Sequence, residues 1–155
     1  MKVLLLATFL SASPPAETIT YHVTPCLGSC PSYTVTVSSD GKARYNGENY
    51  VAIKGERSFR VTSLEFNVFR ARLQPYRPKQ DQVVLVQDGS ALCPEFAFDA
   101  PSIEIAWSSG GRRGARLVYD SGCTNAKVPP EMWRTLAGAV EALPIAKFVG
   151  SSDRR

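Results

Sequence analysis

Histidine is nearly absent from this chain of 155 residues: His22 is the only one. A single imidazole excludes the usual multi-histidine metal centres and leaves one candidate base for a serine triad. His22 lies in an alternating strand pattern, and no Gly-x-Ser-x-Gly turn accompanies it. Long apolar runs are also missing. The longest, over residues 3–10, falls far short of the roughly twenty residues a membrane helix needs, so no transmembrane segment is expected in the mature chain. Glycine-rich phosphate cradles at a strand-to-helix turn are absent. Charge of one sign is not concentrated either. The net charge is +4 and the pI about 9.0, but the basic residues are scattered and no nucleic-acid partner is expected. The one small basic cluster, Arg112, Arg113 and Arg116, reads as a solvated hairpin tip, or else as a contact for an anionic surface. Asp88, Glu95, Asp99 and Glu104 are the nearest thing to an acid pair for glycoside chemistry, and nothing in their spacing sets two of them face to face. No cofactor and no catalytic residue is assigned.

What is present begins with a leader. Met1-Lys2 gives a positive start, residues 3–10 an apolar run, and Ser11, Ala12, Ser13 and Ala16 a small-residue exit. That order predicts a signal peptide over residues 1–16; the other reading of the same run is a buried N-terminal strand. A lipid anchor is not expected, because the first cysteine is Cys26. A single domain over 17–150 follows, with a polar tail at 151–155. Loss of the leader removes Lys2 and no acid, leaving seventeen basic residues against fourteen acids. The expected location is periplasmic or secreted.

Residues 18–24 and 33–38 alternate as strands, the second with Tyr33, Val35 and Val37 inward and Thr34 and Thr36 outward. Asp40-Gly41 predicts a hairpin turn, after which Lys42–Tyr45 returns and Asn46-Gly47 breaks the strand. Tyr50–Lys54 and Ser58–Val61 read as two further strands. Thr62-Ser-Leu-Glu65 fits a capping box. The helix it opens carries two apolar ridges, Leu64/Val68/Ala71 and Phe66/Phe69/Leu73, which predicts deep burial; Pro75 and Pro78 stop it. Val83–Val86 is a possible strand, and Cys93 to Pro101 is irregular. Ile103, Ile105 and Trp107 alternate, residues 108–114 form a flexible turn, and Ala115–Tyr119 returns. Pro129-Pro130 starts a second helix with Trp133, Leu136, Val140 and Leu143 at helical spacing, ended by Pro144. The order strands, helix, strands, helix predicts an α+β fold: an antiparallel meander with two helices packed on one face.

Four cysteines allow three disulfide connectivities. Locality favours Cys26–Cys30 with Cys93–Cys123, the first stabilising by about 2 kcal/mol or less and the second by roughly 3–4 kcal/mol in the chain-entropy account. The run Cys26-x-x-x-Cys30-Pro31 also resembles the copper motif of thioredoxin-like copper chaperones, which gives an alternative metal set of His22, Cys26 and Cys30. Against it, Tyr33-Thr-Val-Thr-Val37 is β in type, where that family opens a helix, and His22 lies upstream of the cysteines.

A closer likeness is carried by Pro25-Cys-Leu-Gly-Ser-Cys-Pro-Ser-Tyr33, Asp40-Gly41, Tyr45, Gly47, Val51 and Gly55. This pattern resembles a family of secreted bacterial domains of unknown function marked by a Cys-Phe-Gly-x-Cys-Pro-x-Tyr segment, an Asp-Gly hairpin, a meander and a helix. It covers residues 18–73 closely and runs on through Asp99–Ser102, Cys123 and Leu143–Gly150, with Leu27 where phenylalanine is common. The resemblance implies an extracytoplasmic location and carries no activity to named residues. The expectation is a disulfide-stabilised, non-catalytic binding or structural module of the envelope; the alternative is a copper-binding or thiol-redox protein using Cys26 and Cys30.

Overall fold

A computed structural model describes residues 14–150. Most of the expected leader and the tail at 151–155 lie outside the described residues. Four strands come first: β1 (Glu17–Val23), β2 (Ser32–Ser38), β3 (Lys42–Asn49) and β4 (Gly55–Arg60). Each pairs antiparallel with the next. The β2–β3 turn works because Gly41 takes a φ of 84°, open to a residue without Cβ, while Asp40 accepts a hydrogen bond from the Lys42 N–H at 3.0 Å. Helix α1 (Ser63–Leu73) follows, then β5 (Val83–Val86), β6 (Glu95–Phe96), β7 (Ser102–Ser109), β8 (Arg112–Asp120), β9 (Cys123–Thr124), α2 (Met132–Ala139) and α3 (Ala146–Val149).

The main sheet has seven strands in the order β4-β3-β2-β1-β7-β8-β5. It is mixed, which corrects the all-antiparallel expectation: β5 runs parallel to β8. The reason lies in the connection. β4 forms one edge and β5 the other, so α1 and the 3-10 turn after it carry the chain across the whole sheet. β5 and its partner β8 are separated in sequence by β6 and β7, so no tight hairpin joins them and forces the pair antiparallel.

One face of the sheet is apolar. Register aligns Val37 with Ile19 and Ile19 with Trp107, Val35 with Tyr21 and Tyr21 with Ile105, and Ile105 with Leu117, and all of these side chains are buried. The helices meet this face. The Phe69 ring of α1 sits edge-on to Tyr21 at 6.1 Å, and the Tyr21 hydroxyl donates to the Leu136 carbonyl of α2 at 3.0 Å. In α3, Phe148 packs between Tyr45 and Phe59 at 5.2 and 5.6 Å. Trp133 is half-buried and lies against Tyr119 at 5.5 Å.

Several local expectations need revision. The described residues form three α-helices, because the chain turns once more after Pro144 and sends Phe148 into the core. Helix α1 has the capping box, with Thr62 Oγ1 accepting from the Glu65 N–H at 3.2 Å and Glu65 Oε2 accepting from the Thr62 N–H at 2.7 Å. It buries only Phe66, Phe69 and Leu73; Leu64 is 73% exposed, since a helix lying on a sheet presents one face to it. Asn46-Gly47 does not break β3. A Cβ on Gly47 would run into the Ile53 carbonyl and reach within 2.9 Å of Val51, so the glycine admits the next segment against the strand. That segment, Tyr50–Lys54, is a loop rather than a strand. Its Ala52 and Ile53 N–H groups donate to the Val149 and Phe148 carbonyls at 3.0 and 2.9 Å.

The buried phenols tie stability to alkaline pH. Burial raises the pKa of Tyr21 and Tyr33, each helped by a neighbouring tyrosine, and raises Tyr119. Burial, with Glu48 second, pushes Tyr45 up to about 12. The folded state holds these groups neutral, so their contribution is complete below the unfolded value near 10 and is lost as pH rises through the folded values. Alkaline titration is expected to show cooperative unfolding well above pH 10, with most phenolate absorbance appearing alongside loss of circular dichroism. Reversible ionisation of these four tyrosines near pH 10 in a folded protein would contradict the packing.

Candidate functional site

The structure bonds Cys26 to Cys30 and Cys93 to Cys123, with Cα separations of 5.6 and 5.3 Å. Both bridges lie at one end of the sheet, where β1 and β8 finish and β2 and β7 begin. Thr24 ties the first loop to β7: its N–H donates to the Ser102 carbonyl at 3.0 Å, and its Oγ1 accepts from the Ser102 N–H at 2.7 Å. The second bridge is braced by the short β6–β9 pair, where Phe96 opposes Cys123. Leu27 and Phe98 project from these loops, 83% and 78% exposed.

The alternative metal set does not assemble as thiolates. Cys26 and Cys30 are bonded to each other, whereas His22 stands on β1 between Thr34 and Glu104. Its Nε2 is 3.7 Å from Glu48 Oε1 and has no hydrogen-bond partner among the described residues. Within the same residues no group of three or more His, Cys, Asp or Glu is arranged to hold a metal ion. The four acids considered for paired chemistry are dispersed. Glu95 accepts from Thr124 and Asn125, Glu104 from Arg116, Asp88 lies in the turn after β5, and Asp99 sits at positive φ before β7.

The second face of the sheet is polar. Thr20 opposes Thr36, Thr36 opposes Arg44, and Arg44 opposes Ser58, a level that runs across four strands. The Thr20 and Thr36 hydroxyls are 3.3 Å apart. On the other side of β1, Thr20 opposes Ala106, which opposes Arg116. The adjacent level places Arg113 opposite Ser108, Ser108 opposite Thr18 and Thr18 opposite Ser38, with Lys42 opposite Arg60 farther along. Arg44, Ser58, Ala106 and Arg116 are exposed. A shallow depression of about 640 Å³ opens here, walled by Thr18, Thr36 and Ser58 together with Lys42, Arg44 and Arg60. A smaller one of about 240 Å³ lies beside it, around Thr20, His22 and Glu104. The face turns apolar at the β5 edge, where Val83 and Leu85 are exposed.

Two ion pairs modulate the charge. Lys42 Nζ lies 2.8 Å from Asp40 Oδ2, and hydrogen bonds from the Lys42 side chain and then its N–H hold the Asp40 carboxyl down at about 2. Arg116 donates to Glu104 Oε2 at 2.8 Å. The arginine trio is therefore not a hairpin tip. The turn is only Gly110-Gly111; Arg112 and Arg113 open β8, and Arg116 lies within it. Alternation along β2 sets Thr34 and Thr36 outward, but the alignment of Thr36 with Arg44 and Ser58 exists only through strand register.

Residues 17–143 match the family described as a domain of unknown function, DUF6438, and the chain belongs to that family. No curated protein matches it. No helix among the described residues is long and apolar enough to cross a membrane.

Proposed function

We propose that this family member is an extracytoplasmic, non-catalytic binding module whose contact surface is the polar face of its sheet. The observation that carries this reading is the division of labour between the two faces. All three helices pack on one, while the other keeps a hydroxyl- and arginine-lined depression open to solvent. Concave surfaces with a few convergent polar groups are where ligands settle. The rigid strands hold those groups in fixed register, and the two disulfides stiffen the far end. Two disulfides suit an oxidising compartment, as would the signal peptide expected over residues 1–16.

Amide chemical-shift mapping tests the reading, with enzymatically solubilised cell-wall fragments as the probe. Perturbations are expected over outward residues of β1, β2 and β3, and the disulfide loops are expected to stay unperturbed.

A further inference from the structure

The polar face is unevenly charged, and the unevenness points to a ligand class. Its acids, Glu48, Glu56 and Glu104, belong to levels nearer the disulfide end, beside His22 and Asn46. The half nearer the hairpin turns carries five cations: Lys42, Arg44, Arg60, Arg113 and Arg116. Asp40 pairs with Lys42 and Glu104 with Arg116. Arg44, Arg60 and Arg113 have no carboxylate partner among the described residues, so the half-face keeps a surplus of three positive charges. Between the cations on β3 and those on β8 lie four strand spacings, about 19 Å, filled mainly by threonine and serine.

We propose that this half of the face binds a linear acidic polysaccharide, with its carboxylate or sulfate groups on the five cations and its hydroxyls on the threonines and serines between them. The proposal rests on the binding-module reading above. Charge complementarity selects a polyanion, and the intervening hydroxyls select one that is itself rich in hydroxyls. Single-stranded nucleic acid fits less well, because it wants aromatic platforms for its bases. The one aromatic at the depression, Phe59, is packed against Phe148. A membrane fits less well too. The exposed Val83 and Leu85 lie on β5, where the cation they adjoin is the ion-paired Arg116, and they stand five strand spacings or about 24 Å from Arg44.

The test uses the oxidised full-length protein and measures binding to polygalacturonate and to heparin across salt concentrations, with neutral dextran, anionic phospholipid vesicles and a single-stranded oligonucleotide in parallel. Three uncompensated charges predict a log–log salt slope of about −2, roughly a twentyfold loss of affinity for a fourfold rise in salt. Arg44→Thr with Arg113→Thr should lower the slope by about 1.4 and weaken binding at low salt at least tenfold, whereas Arg134→Ser on α2 should change neither. Thermal unfolding of each variant checks that the fold is kept. Equal binding by the double variant and the Arg134 control would overturn the proposal, as would tighter binding to vesicles or to the oligonucleotide. Absence of binding to both acidic polymers would overturn it as well. If cell-wall fragments then still perturb the polar face, the polysaccharide assignment alone has failed; if they perturb another surface, the binding-module reading has failed with it.

Discussion

Replacing Cys93 and Cys123 together by serine is expected to lower the unfolding free energy by about 3–4 kcal/mol. The bridge spans a sequence separation of 30, and closing a loop of that size stabilises the fold by removing conformational entropy from the unfolded chain. Little else holds the region between β5 and β7. The β6–β9 pair has two residues per strand, and the other polar ties are few: the exposed hydrogen bonds of Thr124 and Asn125 to Glu95, and isolated backbone bonds such as Lys127 N–H to the Leu92 carbonyl at 2.9 Å. Both cysteines are buried, so serine also leaves a hydroxyl facing packed surroundings. The Cys26–Cys30 bridge closes a separation of only 4, and its loss should cost about 2 kcal/mol or less. Urea unfolding of the two double variants beside the parent measures the difference. Equal losses would show that loop size is not what sets the contribution.

Trp107→Ala should be comparably damaging, at about 3–5 kcal/mol. Trp107 is fully buried on β7, aligned with Ile19 of β1, and the Arg77 guanidinium lies 5.7 Å over its ring. Truncation opens a cavity beneath a central strand and removes that cation–π contact. The indole Nε1 has no hydrogen-bond partner among the described residues, so Trp107→Phe keeps much of the packing and removes an unsatisfied donor. Phenylalanine is expected to cost less than half as much as alanine. Leu64→Ser, on the exposed side of α1, should fall within about 0.5 kcal/mol of the parent. A Trp107→Phe loss equal to that of alanine would mean that the N–H has a partner, water included.

These contrasts mark what the sequence makes legible. Signals confined to a few residues translate directly. The Thr62–Glu65 capping box, the Asp40-Gly41 turn and the alternation of Tyr33–Val37 all depend on neighbours in the chain. Gly47 misleads because its role is set by the Ile53 carbonyl arriving from a loop, not by its own backbone freedom. The parallel docking of β5 pairs it with β8, a strand reached only after two more strands in the chain, which periodicity does not encode. Both ridges of α1 are apolar in sequence, and tertiary packing decides that Leu64 stays outside. The candidate site is the extreme case. Thr20, Thr36, Arg44 and Ser58 are unremarkable one by one and become a surface only when four strands are set in register.

That surface is the centre of the account, and amide shift mapping with solubilised cell-wall fragments tests it most directly. The account predicts the largest perturbations at Thr18, Thr36, Arg44 and Ser58, around the depression, with Leu27 and Phe98 at the disulfide end and Leu64 on α1 unmoved. Perturbations gathered at Leu27 and Phe98, or along Val83 and Leu85, with the β1–β4 face silent, would contradict it.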